Sequence, residues 1–386
     1  MSKNNNCCKK TSIGGQALME GIMMRGPVTT AMAVRNPQGE IVVEKFPTEA
    51  KKRSKFFKLP IIRGLFNYVD SMMLGTKCLM RSAEISGLEE AEEELKREKA
   101  EKKAKKAAKK AEKNQKEVLE ISETVESTKN QEMDSQTLSD VSSNEDKSNE
   151  LLDNKKQEKD DTSLAMGLIM TLSVILGIAL SVGLFFILPT LIYGGAVKIV
   201  PFLRHENPTV QSLIKSVFEG VLKIIIIVGY MSLMTLMKDI RRTFQFHGAE
   251  HKTIFCYENG LELTVENVRE QRRFHPRCGT SFLILMILVS IFFSFFIDPL
   301  FTLIFGFTPN IILRVAIKLL FIPLIVGIGY ELIKIAGKHD NWFTRFISAP
   351  GVWLQHITVL EPDDGMIECA IVAMKEVIPN DESDNW

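Results

Sequence analysis

Four apolar runs, residues 164–188, 213–237, 281–297 and 311–335, constrain this chain more than any other feature. A helix of about 20 apolar residues spans bilayer hydrocarbon, and helices satisfy their own backbone polar groups there. The first run carries no charge. The second holds Lys215, Glu219 and Lys223 near its start, and the third is apolar and rich in Phe. The fourth has Arg314 and Lys318 near its start and Glu331 near its end. The second and fourth also fit long core helices, but the uninterrupted centres at 224–228 and 319–330 favour membrane. The expected fold is an α-helical polytopic membrane protein with about four transmembrane helices, its solvent the lipid bilayer.

Charge is segregated rather than scarce. The formal net charge is +1, yet residues 88–161 collect the charges and 164–336 the apolar side chains. No basic stripe with aromatics suggests a nucleic-acid partner. No cleavable signal peptide is visible, because the first apolar run begins after residue 160. Residues 238–280 carry Lys238, Arg241, Arg242, Lys252, Arg269, Arg272, Arg273 and Arg277, whereas 189–211 carry only Lys198 and Arg204. The positive-inside rule places 238–280 in the cytoplasm. With four spans, the N- and C-termini are cytoplasmic too, in a multi-pass protein of the cell membrane. All six cysteines then fall on or near the cytosolic side, where no disulfide framework is expected. Cys7-Cys8 beside Lys9-Lys10 fits either acylation or an unmodified tail, and the tail is preferred.

Residues 1–10 read as a flexible tail and 11–87 as a cytosolic segment. Within it, 30–34 and 41–46 form a hairpin around Asn36-Pro37-Gln38-Gly39. Residues 14–27 are glycine-rich and suggest tight backbone without a phosphate-binding spacing. Residues 60–87 read as an amphipathic helix behind the basic run 51–63. That helix lies either on an anionic leaflet or with its apolar face in a soluble core. Residues 88–161 read as a charged helix followed by a disordered linker. The transmembrane region is 162–337. In the C-terminal cytosolic segment, 338–386, Pro350-Gly351 breaks the chain, 352–360 form a strand, and an aspartate-capped helix follows Glu361-Pro362-Asp363-Asp364. Trp342 and Trp353 read as interface anchors, and His356 as a buried hydrogen-bonding group. Neither end alone has much core, so the two pack together as one small cytosolic α+β domain.

The chemistry concentrates in 238–280. A helix over 237–257 puts His247 and His251 on one face, four residues apart, with Glu250 beside them. This His-x-x-Glu-His string is that of inverted zinc peptidases, where the Glu is a catalytic base. Gly260 stops that helix, and Thr264 caps a second one running through Arg273. The resulting hairpin returns His275 and Cys278, both zinc-ligand types, towards His247 and His251. Cys256 is a poorer partner. Glu331, an ionisable group at depth, is either a further ligand or an ion-pair partner of Arg241 or Arg242. The candidate metal set is thus His247, His251, His275, Cys278 and Glu331, with Glu250 catalytic and zinc the cofactor. The competing reading makes the histidines surface or hydrogen-bonding groups near lipid headgroups.

Gly14-Gly15-Gln16-Ala17-Leu18-Met19-Glu20-Gly21, Met23-Met24-Arg25-Gly26-Pro27, His247-Gly248-Ala249-Glu250-His251-Lys252, His275-Pro276-Arg277-Cys278-Gly279-Thr280-Ser281 and Glu361-Pro362-Asp363-Asp364 together resemble the YqhQ-type bacterial membrane proteins. The resemblance covers nearly everything except residues 88–161. It implies a domain of unknown function, for which a metal-dependent enzyme is sometimes predicted.

Two functions follow. One is a zinc hydrolase-like protein with a cytosol-facing juxtamembrane site. The other is a non-catalytic adaptor or regulator that recruits a biogenesis or quality-control protein through its cytosolic domain or linker. A transporter is disfavoured, because no inverted repeat is evident.

Overall fold

The computed structural model describes residues 9–48, 57, 59–87, 171–307, 309–339, 341–381 and 383–385. The expectations for the N-terminal tail before Lys9, for most of the basic run 51–63 and for residues 88–161 lie outside the described residues. The described residues through Gly87 and from Leu184 onward belong to one compact unit.

The glycine-rich stretch does more than make tight backbone. It forms β1 (Gly14–Leu18) and β2 (Gly21–Arg25), which continue into β3 (Thr29–Arg35) and β4 (Ile41–Pro47). The four strands form an antiparallel sheet in sequence order. The expected hairpin is β3–β4, with Arg35 opposite Ile41. Its turn is closed by the Gly39 N–H donating to the Asn36 carbonyl at 3.0 Å, with Gly39 at φ 88. Strand alternation sends Ile22, Met24, Ala31 and Ala33 to one face and Met23, Met32 and Val34 to the other.

Both faces are covered. Helix α1 (Ile62–Ile85) packs Leu74, Cys78 and Leu79 against Met23 and Met32. The opposite face meets Phe246 and Ala249, together with Ile367, Ala370 and Met374 from the C-terminal end of the chain. So α1 covers the soluble core with one side, while Val69, Met72 and Met73 on its other side stay exposed.

Among the described residues, three helices are long and apolar enough to cross a membrane. They are Thr171–Ile199, whose end is α2 (Leu188–Ile199), α3 (Pro208–Met234) and, after the polar hairpin, α6 (Gly279–Phe305). The hairpin consists of α4 (Lys238–Glu258) and α5 (Val265–Arg269). The fourth expected span is a pair, α7 (Ile311–Leu320) and α8 (Ile322–Lys338), bent by 44°. Pro323, in the first turn of α8, has no N–H for the preceding turn and accounts for the break.

Three local expectations are corrected. The helix after Thr264 ends at Arg269, although Thr264 does cap it. Residues 352–360 are not a strand, because α9 (Trp342–Thr358) runs through Pro350-Gly351. Gly351 explains why: a Cβ there would lie 2.6 Å from the Ser281 Cα, so α9 is held against the start of α6. His356 is exposed rather than buried. The final helix, α10 (Asp364–Lys375), is capped by Asp363, which accepts from the Met366 N–H at 2.9 Å.

Gly248 on α4 backs directly onto the segment leading into α10. A Cβ at this position would collide with the Leu360 carbonyl oxygen, a backbone atom that cannot rotate away. Gly248→Ala is therefore expected to cost about 1–3 kcal/mol by overpacking, read as a lowered Tm of the detergent-purified protein.

Candidate metal centre

Helix α4 passes from the apolar helices into the sheet domain, and its polar residues are buried there. Glu250, His251 and Lys252 are buried and His247 is partly buried. His247 and His251, one turn apart, have ring centroids separated by 4.5 Å. The hairpin returns Cys278 to the same place, as the N-cap of α6. One donor atom from each of His247, His251 and Cys278 lies within 4.8 Å of the others. Zinc bonds of about 2.0–2.3 Å in a tetrahedron put donors roughly 3.3–3.8 Å apart, so small side-chain shifts would close this set on an ion.

Both imidazoles are oriented by backbone carbonyls. His247 Nδ1 lies 3.0 Å from the Thr358 oxygen, and His251 Nδ1 lies 2.5 Å from the Arg273 oxygen. Each Nδ1–H donates there, which leaves Nε2 as the ligand-capable nitrogen. His247 Nε2 is 3.0 Å from Cys278 Sγ. His251 Nε2 is buried and has no hydrogen-bond partner among the described residues. An orphaned buried nitrogen is costly, and a metal ion would satisfy it.

The electrostatics favour a thiolate. Burial pushes the Cys278 thiol up, but His247 and His251 outweigh it and hold the group well below its usual value. The N-terminal end of α6 acts in the same direction. Burial alone would push His247 down, whereas the Cys278 charge and hydrogen bond carry it up to about 9. Glu250 is raised above the usual carboxylate range by burial, against the pull of His247 and His251. Its carboxylate accepts the Gly15 N–H. A Cβ on Gly15 would lie 2.9 Å from the Glu250 Cδ, so β1 needs a glycine for this approach.

His275 and Glu331 lie elsewhere. The His275 ring sits behind His251, centroids 5.5 Å apart, and faces Glu258 at 3.8 Å and Arg277 at 3.3 Å. Gln355 fixes its backbone, accepting from the His275 N–H at 2.8 Å and donating to its carbonyl at 2.7 Å. The Arg277–Glu258 pair and the Thr11 N–H complete this network. Burial works against the Glu258 charge, but His275 and Arg277 hold its carboxyl below the usual range. Glu331 is not paired with Arg241 or Arg242. It takes a bidentate contact from Arg63, Nε at 2.7 Å and Nη2 at 2.6 Å. Close packing of α1 on α8, with Gly64 against Tyr330 and Gly327 against Ile61, brings Arg63 there. Cys256 is buried with its sulfur 3.4 Å from the Glu262 oxygen, away from the cluster. Gly15, Gln355 and the Arg273 and Thr358 carbonyls escaped sequence reasoning. The Gly14-Gly15 doublet was the one visible signal, because a carbonyl has no sequence signature.

The fold and site define a protein with membrane-length apolar helices and a histidine–cysteine cluster where they meet a small sheet domain. The chain belongs to the family described as Protein of unknown function (DUF1385), whose model matches residues 59–380. It is also 29% identical over 371 residues to the Bacillus subtilis (strain 168) protein named Uncharacterized protein YqhQ. That match covers 95% of this chain and 92% of the relative. No solved structure matches.

Burial pushes His275 down to about 4. An unfolded histidine takes its proton near 6.5, so the unfolded state binds more protons between these values. Stability is expected to fall as pH drops from 6.5 towards 4, by up to about 3 kcal/mol for this group. Chemical denaturation across that range should show the fall in the native protein and a clearly shallower one in His275→Gln.

Proposed function

We propose that the chain is a multi-pass membrane metalloprotein, hydrolase-like, with a zinc centre of His247, His251 and Cys278 at the cytosolic surface. The observation that carries this reading is the buried, unpartnered His251 Nε2 beside a thiolate-favouring cysteine and a second oriented imidazole. Two nitrogens and one sulfur suit zinc and leave a fourth position for water or substrate. When bound, zinc would polarise a carbonyl or bring a water to a pKa near 7.

The remaining work falls to the chain. The Thr358 and Arg273 carbonyls hold the imidazole tautomers. Glu250, raised by burial and oriented by the Gly15 N–H, takes and returns a proton at its free carboxylate oxygen. The sheet and α10 exclude bulk water from the cluster. The basic residues of 238–280 support a cytoplasmic orientation, with both termini on the same side. The adaptor reading draws on one observation, the exposed Val69, Met72 and Met73 on α1, a surface that a protein partner would cover.

Metal analysis of the detergent-purified full chain tests the centre. About one zinc per chain is expected, with tenfold or greater weakening in His251→Ala and in Cys278→Ser. Glu250→Gln should keep the metal and abolish complementation of a deletion strain. Absence of any bound transition metal, with His251→Ala unchanged in every assay, would sink the reading. Zinc retained with Glu250→Gln fully functional would reduce the centre to a structural one.

A further inference from the structure

Helix α9 carries a face that neither the sheet domain nor the metal centre uses. Trp342, Phe346, Ala349, Trp353 and His356 recur at steps of four and three, and all are exposed. At about 100° per residue they fall within an arc of roughly 80°. Trp342 is 79% exposed, Phe346 73% and Trp353 57%. The opposite side is buried, with Thr344, Gly351, Leu354, Gln355 and Thr358 turned inward. Three large rings in one stripe are more than the scattered apolar exposure of an ordinary surface.

The inward side fixes the level at which α9 lies. The helix packs on α3, α6 and α8 together. Gly351 meets Ser281, near the start of α6. Leu354 clusters with Ile284 of α6 and Ile227 of α3, and Ile357 joins them. Ile347 joins the cluster of Leu285 on α6 and Leu332 on α8. At 1.5 Å per residue, Ser281, Ile284 and Leu285 lie about 3–9 Å from the start of α6. Ile227 and Leu332 lie about 9–10 Å from the ends of α3 and α8 on the same side. From Ile347 to Ile357 the helix advances about 15 Å, yet these partners stay near one level. Helix α9 therefore crosses the ends of the apolar helices instead of running down them.

The surroundings of the stripe are layered. At its own level the neighbouring helices also expose apolar side chains, Leu233 on α3, Leu283 on α6 and Ile335 on α8. Just beyond come cations: Lys338 and His339 precede α9, Lys238 and Arg241 open α4, and all four are exposed. Tryptophan rings with basic residues beside them mark the boundary between acyl chains and headgroups. Towards its C-terminal end α9 reaches the polar hairpin. His356 lies on Phe274 with ring centroids 4.4 Å apart, and the Thr358 carbonyl holds His247.

We propose that α9 lies in the plane of the membrane, with Trp342, Phe346 and Trp353 inserted at the headgroup–acyl boundary of the leaflet next to the His/Cys cluster. The occupant of this face is phospholipid. The stripe is continuous with the exposed apolar ends of α3, α6 and α8, so a protein covering it would also have to displace lipid from those helices. In-plane helices bury their apolar face about 5–10 Å into the boundary, the depth at which the α9 contacts lie. Residues 342–358 thus leave the cytosolic segment to which sequence alone assigns them. The placement holds whether or not a metal binds.

The chain has three tryptophans, Trp342, Trp353 and Trp386, so Trp386→Phe leaves reporters on α9 alone. This full-length variant is placed in phosphatidylcholine nanodiscs. Its emission is read with lipids brominated near the headgroup end of the acyl chain, with lipids brominated near the chain terminus, and with aqueous iodide. Shallow bromines are expected to quench roughly twofold, as for Trp at the boundary, terminal bromines clearly less and iodide least. The double variant Trp342→Phe with Trp353→Phe retains Trp386 and should lose the shallow quenching. If Trp386→Phe does not fold, the native chain compared with the double variant decides. No quenching by brominated lipid puts the face in water or beneath a protein and overturns the proposal. Stronger quenching by terminal bromines puts α9 in the hydrocarbon core and overturns it too.

Discussion

The meeting of α4 with the N-terminus of α6 is the constraint on which the rest of the structure depends. Cys278 caps α6 and places its sulfur 3.0 Å from His247. The other side of α4 carries Ala249 and Phe246, which seal the sheet. One helix thus supplies both the donor set and part of the soluble core. Moving the cluster would unpack the sheet, and unpacking the sheet would free the imidazoles.

Burial explains the chemistry around that junction. A carboxyl, a lysine and an imidazole on consecutive positions, Glu250, His251 and Lys252, are each buried, a costly arrangement unless each is answered. Lys252 is answered by the Glu361 carboxylate and by the Arg269 carbonyl at 2.8 Å. Glu250 has the Gly15 N–H. His251 is answered at Nδ1 alone, and a bound cation would supply the missing partner. The neighbouring His275–Glu258–Arg277 network is saturated by its own hydrogen bonds and supports the wall behind His251. The same accounting applies to the far ends of α3 and α7, where the buried Glu219 and Arg314 answer each other.

Local pattern made much of this legible. Apolar runs of membrane length stand out in one dimension, as do the β3–β4 turn, the α4 helix with its i, i+4 histidines and the Asp363 cap, because each depends on neighbours within a few residues. The pairing of His247 with Cys278, 31 residues later, was readable because a short hairpin joins them. The sequence also suggested His275 and Glu331 as ligands by residue type. Arg63, the partner of Glu331, comes from a distant segment, and Glu258, the partner of His275, lies in the same hairpin but at a spacing that no local pattern announces.

What the sequence determined by itself was the inventory: apolar lengths, strand alternation, and ligand residue types gathered in one polar segment. Tertiary structure alone decided which of those residues converge. It turned 352–358 into helix because Gly351 allows α9 to lie against Ser281. It withdrew Glu331 by bringing Arg63 across from α1. It set β1 over Glu250 through a glycine that leaves room for the carboxylate. Each outcome rests on close contact between segments far apart in the chain. Such contacts are fixed by side-chain volume and backbone approach, and periodicity along one segment carries no record of them.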